Sequence, residues 1–117
     1  MNSTPMTDAA YNEDASRVLA SIESTVDGWM QDDVVDIDSH RTGGLLELSF
    51  DSGAKLVVNM QPPLQELWLA ARLGGYHFKC VDGCWLDTRD GEAFFARLST
   101  CASEAAGRAL VFEPTST

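Results

Sequence analysis

Basic residues are scarce in this sequence, and the first third has almost none. The 117 residues include 18 Asp and Glu but only 8 Lys and Arg, which gives a net charge of -10 at neutral pH. Residues 1–38 hold nine acids and one base, Arg17, and so carry -8 of that charge. Because such a chain lacks the positive surface that neutralises phosphates, we expect no nucleic acid partner. The partners that suit this charge are cations or a basic protein surface.

Long apolar runs and paired cysteines are also missing. No apolar stretch approaches the ~20 residues that span a bilayer, so no membrane partner is expected. Residues 1–16 lack basic residues and an apolar core, unlike a secretory signal or a transit peptide. The three cysteines, an odd number, fit a reducing compartment better than a disulfide framework. These features predict a cytoplasmic protein with one domain over residues 1–117, ordered from about residue 7 to about residue 112.

Two segments have helical periodicity. Apolar residues recur every three or four positions from Tyr11 to Trp29, which is the spacing of one face of an amphipathic helix, and Thr7 can cap its N-terminus. A second helix is predicted over residues 91–106 with Asp90 as its cap. Its predicted buried stripe consists of Phe94, Leu98, Cys101 and Ala105.

Between the helices the apolar period changes to two, which is typical of strands. Strands are predicted near residues 35–38, 46–50 and 54–59. For the apolar residues of the last two strands to share one face, paired residue numbers must sum to 104, which leaves a three-residue loop at 51–53. The same parity argument for YHFKCVDGCWLDT predicts a three-residue loop at 81–83, with Cys80 opposite Cys84.

The segment QPPLQELWLAARLGG allows two interpretations. Its apolar residues from Leu64 to Ala71 have helical spacing, with proline before and glycine after, so local rules favour a helix. As a strand, it would instead turn Leu67 and Leu69 to one face and Trp68 to the other.

Histidine is rare, and no catalytic arrangement emerges. His40 and His77 have no acid at a triad or metal-motif spacing, and the pair Cys80 and Cys84 lacks the second pair of ligands of a zinc site. We therefore expect no enzyme activity. Binding of a haem or a soft metal through His77, Cys80 and Cys84 stays open as an alternative.

The segment DGWMQDDVVDID, residues 27–38, contains five carboxylates and no Lys or Arg. Carboxylates are hard oxygen donors that suit hard cations and iron, and an exposed cluster without a preformed cage binds such ions weakly. Solvent, a cation or a basic protein surface must face this run of like charge.

The pattern N-x-Q-x-P-x-x-x-x-W-L-A occupies residues 59–70 and is followed by GGYHF at 74–78. With an acidic helix before it and a second helix after it, this arrangement resembles the frataxin family over residues 8–112. The resemblance implies an α+β fold, a two-layer α/β sandwich whose N- and C-terminal helices pack on one face of an antiparallel sheet. It also implies that residues 64–71 form a strand, which overrules the local preference for a helix.

The resemblance further implies an iron chaperone or regulator of iron-sulfur cluster assembly. Such a protein, expected to be monomeric without iron, would bind Fe2+ or Fe3+ weakly and dock to the cysteine desulfurase and the scaffold protein. The implied iron ligands, called the acidic ridge below, are Glu23, Asp27, Asp32, Asp33, Asp36 and Asp38. The implied partner contacts are Asp27, Asp32, Asp33 and Trp68, the last as an exposed anchor whose truncation should change fold stability little.

This chain departs from the family pattern within the acidic ridge. Ser24, Gly28 and Met30 stand where bacterial relatives often have acids, so the ridge is thinner here. An alternative of a different class is an acidic interaction module whose ridge serves only as a docking surface for a basic partner.

Overall fold

The acidic N-terminal segment forms a long helix, as its periodicity predicts. A computed structural model describes residues 6–114, and helix α1 spans Asp8–Gln31. The Thr7 hydroxyl caps it by accepting a hydrogen bond from Ala10 N at 3.0 Å. The predicted disorder of both chain ends concerns residues that lie almost entirely outside the described range. The buried stripe of α1 consists of Tyr11, Ala15, Val18, Leu19, Ile22 and Val26.

Among the described residues, six strands follow α1 in one antiparallel sheet, and each strand pairs with its neighbours in the chain. The strands are β1 Ile37–Thr42, β2 Leu45–Phe50, β3 Lys55–Gln61, β4 Glu66–Ala71, β5 Gly74–Val81 and β6 Cys84–Asp87. Helix α2 then spans Phe94–Ala106. One face of the sheet packs against both helices in a single apolar core, so the predicted α+β sandwich is confirmed. The other face, which carries no helix, is called the outer face below.

The hairpin between β2 and β3 has the predicted register and loop. Leu48 pairs with Leu56, so that paired residue numbers sum to 104. Phe50 N donates to Ala54 O at 3.0 Å and closes the loop at 51–53. Gly53 has a φ of 91°, a left-handed conformation that glycine adopts without a side-chain clash.

The hairpin between β5 and β6 differs from its prediction by one residue. Val81 pairs with Cys84 and Cys80 with Trp85, so the loop has two residues, 82–83, and both have positive φ. A type I′ turn requires this conformation, and Asp-Gly is a preferred sequence for it. The shift turns Trp85 toward the core and Cys84 to the outer face. The predicted placement of Cys80 opposite Cys84 was therefore wrong.

Residues 62–71 combine a short turn with a strand. Pro62–Leu64 forms one turn of 3-10 helix, which the left-handed Gln65 ends at a φ of 52°. Strand β4 then begins at Glu66. Leu67 and Leu69 are buried in the core, and this alternating burial, rather than the helical spacing, decides the structure. The helix favoured by local rules was wrong, and the strand is confirmed from residue 66 onward.

Helix α2 begins three residues later than predicted. Its N-cap is Ala93, which offers no side-chain cap, and the Asp90 carboxylate instead accepts from Glu92 N at 2.9 Å. Asp90 thus stabilises the turn that precedes the helix. All four residues of the predicted stripe are buried.

Candidate functional site

The acidic ridge lies where α1 ends and β1 begins. Within the described residues, five of its six carboxylates are exposed and form no ion pair. Three of them stand at the C-terminal end of α1, whose last turn has no basic residue, and the other two lie directly before and within β1. Because that end of a helix is negative, the carboxylates there destabilise the fold at low ionic strength. The five are Asp27, Asp32, Asp33, Asp36 and Asp38.

Glu23 is the exception in the ridge because it is paired. Its Oε1 lies 3.0 Å from Arg41 Nη1, and about a third of each side chain is exposed. A cation that bound Glu23 would have to compete with the Arg41 guanidinium. Sequence reasoning missed this pair because Arg41 lies in β1, 18 residues further along the chain.

The ridge offers suitable donor atoms without a cage. Asp33 and Asp36 line a shallow depression of about 230 Å³ with Met30 and Val35. Among residues 6–114, no three His, Cys, Asp or Glu side chains are arranged to hold a metal ion. The carboxylate oxygens fit iron in type, and an ion there would keep much of its hydration shell.

Trp68 lies on the outer face of the sheet, as the strand interpretation predicts. Its indole stacks on His77 of β5, with ring centroids 4.2 Å apart and planes 5° apart. Its Nε1 donates to Glu66 Oε1 at 2.8 Å. These contacts leave Trp68 partly buried, so the prediction of an exposed anchor is corrected.

Glu66 is the residue of this face that sequence reasoning missed. It is only 8% exposed although it lies on the outer face. Its Oε2 lies 3.5 Å from Lys79 Nζ, and its Oε1 lies 3.8 Å from His77 Nδ1. The β4–β5 register, which pairs Glu66 with Lys79 and Trp68 with His77, brings the four together. We call these four residues the outer-face cluster; its charged hydrogen bond fixes the orientation of the indole.

A shallow depression of about 240 Å³ adjoins the outer-face cluster. Its apolar lining includes Leu45, Val57 and Ala70. An apolar floor beside an aromatic ring is typical of the centre of a protein interface, and charged groups such as Glu66 and Lys79 are typical of its rim.

The candidate soft-metal ligands do not converge. His77 and Cys84 lie on the outer face, whereas Cys80 faces the core and is partly buried. Burial raises the pKa of the Cys80 thiol, which disfavours the thiolate that a metal needs. The geometry therefore does not support the alternative of a haem or soft-metal site through these residues.

The architecture defines a class of protein. It is an α+β domain in which two helices cover one face of a six-stranded antiparallel meander. Exposed carboxylates lie at one end of the domain, and a tryptophan stacks on a histidine on the outer face. No helix within residues 6–114 is long and apolar enough to cross a membrane. The family model described as frataxin-like domain matches residues 4–108. The chain belongs to the frataxin family.

Named relatives and solved structures agree with this assignment. The chain is 46% identical to a Burkholderia mallei (strain SAVP1) protein named iron-sulfur cluster assembly protein CyaY, over 92% of this chain and 98% of that protein. It is 47% identical to the protein of the same name from Paraburkholderia phymatum, over 93% and 100%. The structure of frataxin from Psychromonas ingrahamii matches with a TM-score of 0.82 and 29% identity, over 93% of this chain and 100% of that one. A trimeric Saccharomyces cerevisiae frataxin described as a ferrous complex matches in fold, with a TM-score of 0.68, 20% identity and 92% of each chain.

Proposed function

We propose that this protein is an assembly factor for iron-sulfur clusters that binds Fe2+ or Fe3+ weakly on its acidic ridge and docks to the cysteine desulfurase and the scaffold protein. The relatives named above, at 46% and 47% identity, support the process. The observation that carries the proposal is the concentration of exposed carboxylates, without ion pairs among the described residues, from the C-terminal end of α1 to the start of β1. Repulsion among these carboxylates lowers the stability of the fold, and a bound cation or basic partner would offset that repulsion.

Iron in this proposal is cargo, and the ridge supplies only carboxylate oxygens. Asp33 and Asp36, which share a depression, are the pair best placed to contact one ion. Because no cage surrounds them, the ion would exchange readily, and its affinity would fall as salt is added. Readily reversible binding suits a protein that passes iron on or senses its level.

The ridge and the outer-face cluster would act together in docking. The ridge provides a negative field that attracts a basic surface and speeds association. Trp68, which Glu66 and His77 hold in one orientation, would bind with little further loss of side-chain freedom. Rigid aromatic residues beside apolar depressions commonly dominate the energy of an interface.

The first experiment measures cluster assembly by the desulfurase and scaffold at fixed iron, with and without this protein. A change in rate of either sign supports the proposal and shows whether the protein slows or stimulates assembly. The matched variants are the double substitution of Asp33 and Asp36 to asparagine, and Asp51→Asn in the exposed loop at 51–53 as a control. No effect of the wild-type protein on the rate would contradict the proposed function.

The second experiment separates iron binding from docking. Ferrous iron should shift or broaden the amide resonances of the acidic ridge, and the Asp33 and Asp36 substitutions should reduce the effect while Asp51→Asn leaves it unchanged. Changes centred on His77 and Cys84 would contradict the ridge as the iron site.

The pairing of Glu23 with Arg41 favours the second candidate, an interaction module without an iron role. That candidate predicts undiminished desulfurase binding under rigorous iron chelation and no response of the ridge to iron.

A further inference from the structure

One member of the acidic ridge lies beside a base, and the other five do not. Glu23 Oε1 is 3.0 Å from Arg41 Nη1, whereas the five carboxylates from Asp27 to Asp38 form no ion pair with a described residue. Glu23 and Asp27 are four residues apart, so they are neighbours on one flank of α1. The paired and the unpaired parts of the ridge therefore meet within one turn of the helix, and Arg41 marks their boundary.

The strand that carries Arg41 holds its side chain against α1. Arg41 pairs with Leu46 of β2, and Leu46 is fully buried. Because directly paired residues share a face, the Arg41 side chain lies on the side of the sheet that the helices cover. Its Nε also donates to Gly43 O at 3.3 Å, in the turn between β1 and β2. With its Nε bonded to its own hairpin, the guanidinium can hold Glu23 with little further loss of side-chain freedom.

A cation that binds Glu23 has to displace a guanidinium that cannot diffuse away. A tethered group competes at a constant effective concentration, on the order of millimolar for a short link. Exposed carboxylates without a cage hold a hydrated ion only weakly. Such an ion gains little by displacing Arg41, so Glu23 stays paired while the ridge beyond it binds.

We propose that Arg41 is a tethered counter-ion that excludes Glu23 from cation binding, so that the iron-binding part of the acidic ridge begins at Asp27 and its affinity stays low. Arg41 is then a residue that sets the affinity of the ridge without contacting the ion. The inference rests on the proposed function, because it concerns the iron that the ridge would carry. A low affinity suits cargo that must be released.

The pair also has a simpler explanation, which is that it fastens α1 to β1. Partly exposed ion pairs contribute little to stability. A purely structural role predicts that loss of Arg41 alters iron binding only through the lost positive charge. Competition predicts, in addition, that Glu23 becomes a ligand once Arg41 is removed. The test therefore asks whether the effect of removing Glu23 depends on Arg41.

The experiment is a double-mutant cycle for Fe2+ binding, measured without oxygen at an ionic strength of about 0.15 M, which screens distant charges. The amide shifts of Asp33 and Asp36 report the dissociation constant. We expect Arg41→Gln to tighten binding about threefold to fivefold. We expect Glu23→Gln to weaken binding by less than about twofold in the wild type, but by at least about threefold in the Arg41→Gln background. Equal effects of Glu23→Gln in the two backgrounds would overturn the proposal.

Two variants control for charge and for fold. Arg17→Gln removes the same charge from a base that pairs with Glu13 and Asp14, outside the ridge. Arg41→Lys keeps a cation beside Glu23. We expect both variants to bind Fe2+ within about twofold of the wild type. An equal gain in Arg17→Gln and Arg41→Gln would overturn the proposal, because loss of any positive charge would then suffice. If Arg41→Gln does not fold, the wild-type background still decides, since a loss of at least about threefold on Glu23→Gln there would show that Glu23 is already a ligand.

The outcomes separate this inference from the proposed function. If the ridge amides respond to Fe2+ with equal affinity in the wild type and in Arg41→Gln, the proposed iron binding stands and the role of Arg41 is overturned. A response that appears only in Arg41→Gln supports the role of Arg41 and contradicts iron binding by the native ridge. No response in any of the four proteins of the cycle overturns both.

Discussion

Replacing Trp68 with alanine tests whether the outer-face cluster is one rigid unit. The change removes the stack on His77, and such a pair contributes about 0.5–1.5 kcal/mol beyond its buried area. It also removes the hydrogen bond to the Glu66 carboxylate, and a bond to a charged group contributes about 1.5–3 kcal/mol. Lys79 still holds Glu66 afterwards, so part of the second loss is compensated. We expect the free energy of unfolding to fall by about 2–3 kcal/mol, rather than by the less than ~1 kcal/mol of an exposed anchor.

Urea denaturation followed by far-UV circular dichroism measures this change, with Trp68→Phe as the matched variant. Phenylalanine keeps a ring beside His77 but has no N–H for Glu66, so it should lose about 1–2 kcal/mol and lie between wild type and alanine. A loss below about 0.5 kcal/mol for Trp68→Ala would refute the reasoning, because no rigid cluster would then exist. If Trp68 is also the anchor for a partner, Trp68→Ala should weaken docking by more than ~2 kcal/mol in a binding titration with the desulfurase and scaffold.

Three further predictions follow from the contacts and pKa shifts. The Tyr11 hydroxyl donates to Glu66 O at 2.6 Å and accepts from Gln61 N at 2.9 Å. Tyr11→Phe should therefore lower the free energy of unfolding, measured by urea titration, by about 1–3 kcal/mol. An unchanged urea midpoint would contradict this prediction. The hydrogen bond from Glu92 N holds the pKa of Asp90 below its ordinary value, with Arg97 as a second cause. The stabilisation from Asp90 should thus be present at about pH 6 and be lost as the pH falls below about 4. The difference in unfolding free energy between wild type and Asp90→Asn should therefore shrink on acidification. A difference that grows on acidification would contradict this prediction. Cys84 is exposed, whereas burial raises the pKa of the Cys101 thiol. Iodoacetamide should therefore label Cys84 in the native protein and Cys101 only after unfolding. Equal labelling of the two cysteines in the native protein, detected by mass spectrometry, would contradict the burial of Cys101.

The sequence predicts the β2–β3 hairpin but not the β5–β6 hairpin, for a physical reason. In the first, apolar residues alternate cleanly on both strands and a glycine stands where the loop needs it, so only one register buries the apolar set. In the second, Cys84 and Leu86 compete with Trp85 for the inner face, and all three are apolar. The conformational preference of Asp-Gly for a two-residue turn resolves the ambiguity, and Trp85 is buried as a result.

The candidate site shows the same division between local and distant information. The exposed carboxylates of the acidic ridge were predictable because they are close neighbours in the chain, from the end of α1 to the start of β1. The partners that fix the chemistry of the site were not, because they lie on other elements: Arg41 reaches Glu23 from β1, and Lys79 reaches Glu66 from β5. Such pairs require the packing of a helix on a strand, or the register of two strands, before they can be inferred.

The order of the strands has a consequence for how the chain folds. Each of the five strand pairings joins neighbours in the chain, so each closes a short loop at a small entropic cost, and contacts between near neighbours favour rapid folding. Helix α1 is different, because its Tyr11 hydroxyl forms hydrogen bonds with the backbone of Gln61 and Glu66. These residues lie 50 and 55 positions further along the chain. During synthesis the acidic helix therefore emerges before the sheet but cannot complete its docking until β4 has been made. Until then the growing sheet adds one hairpin at a time, and the apolar stripe of α1 stays without its final partner.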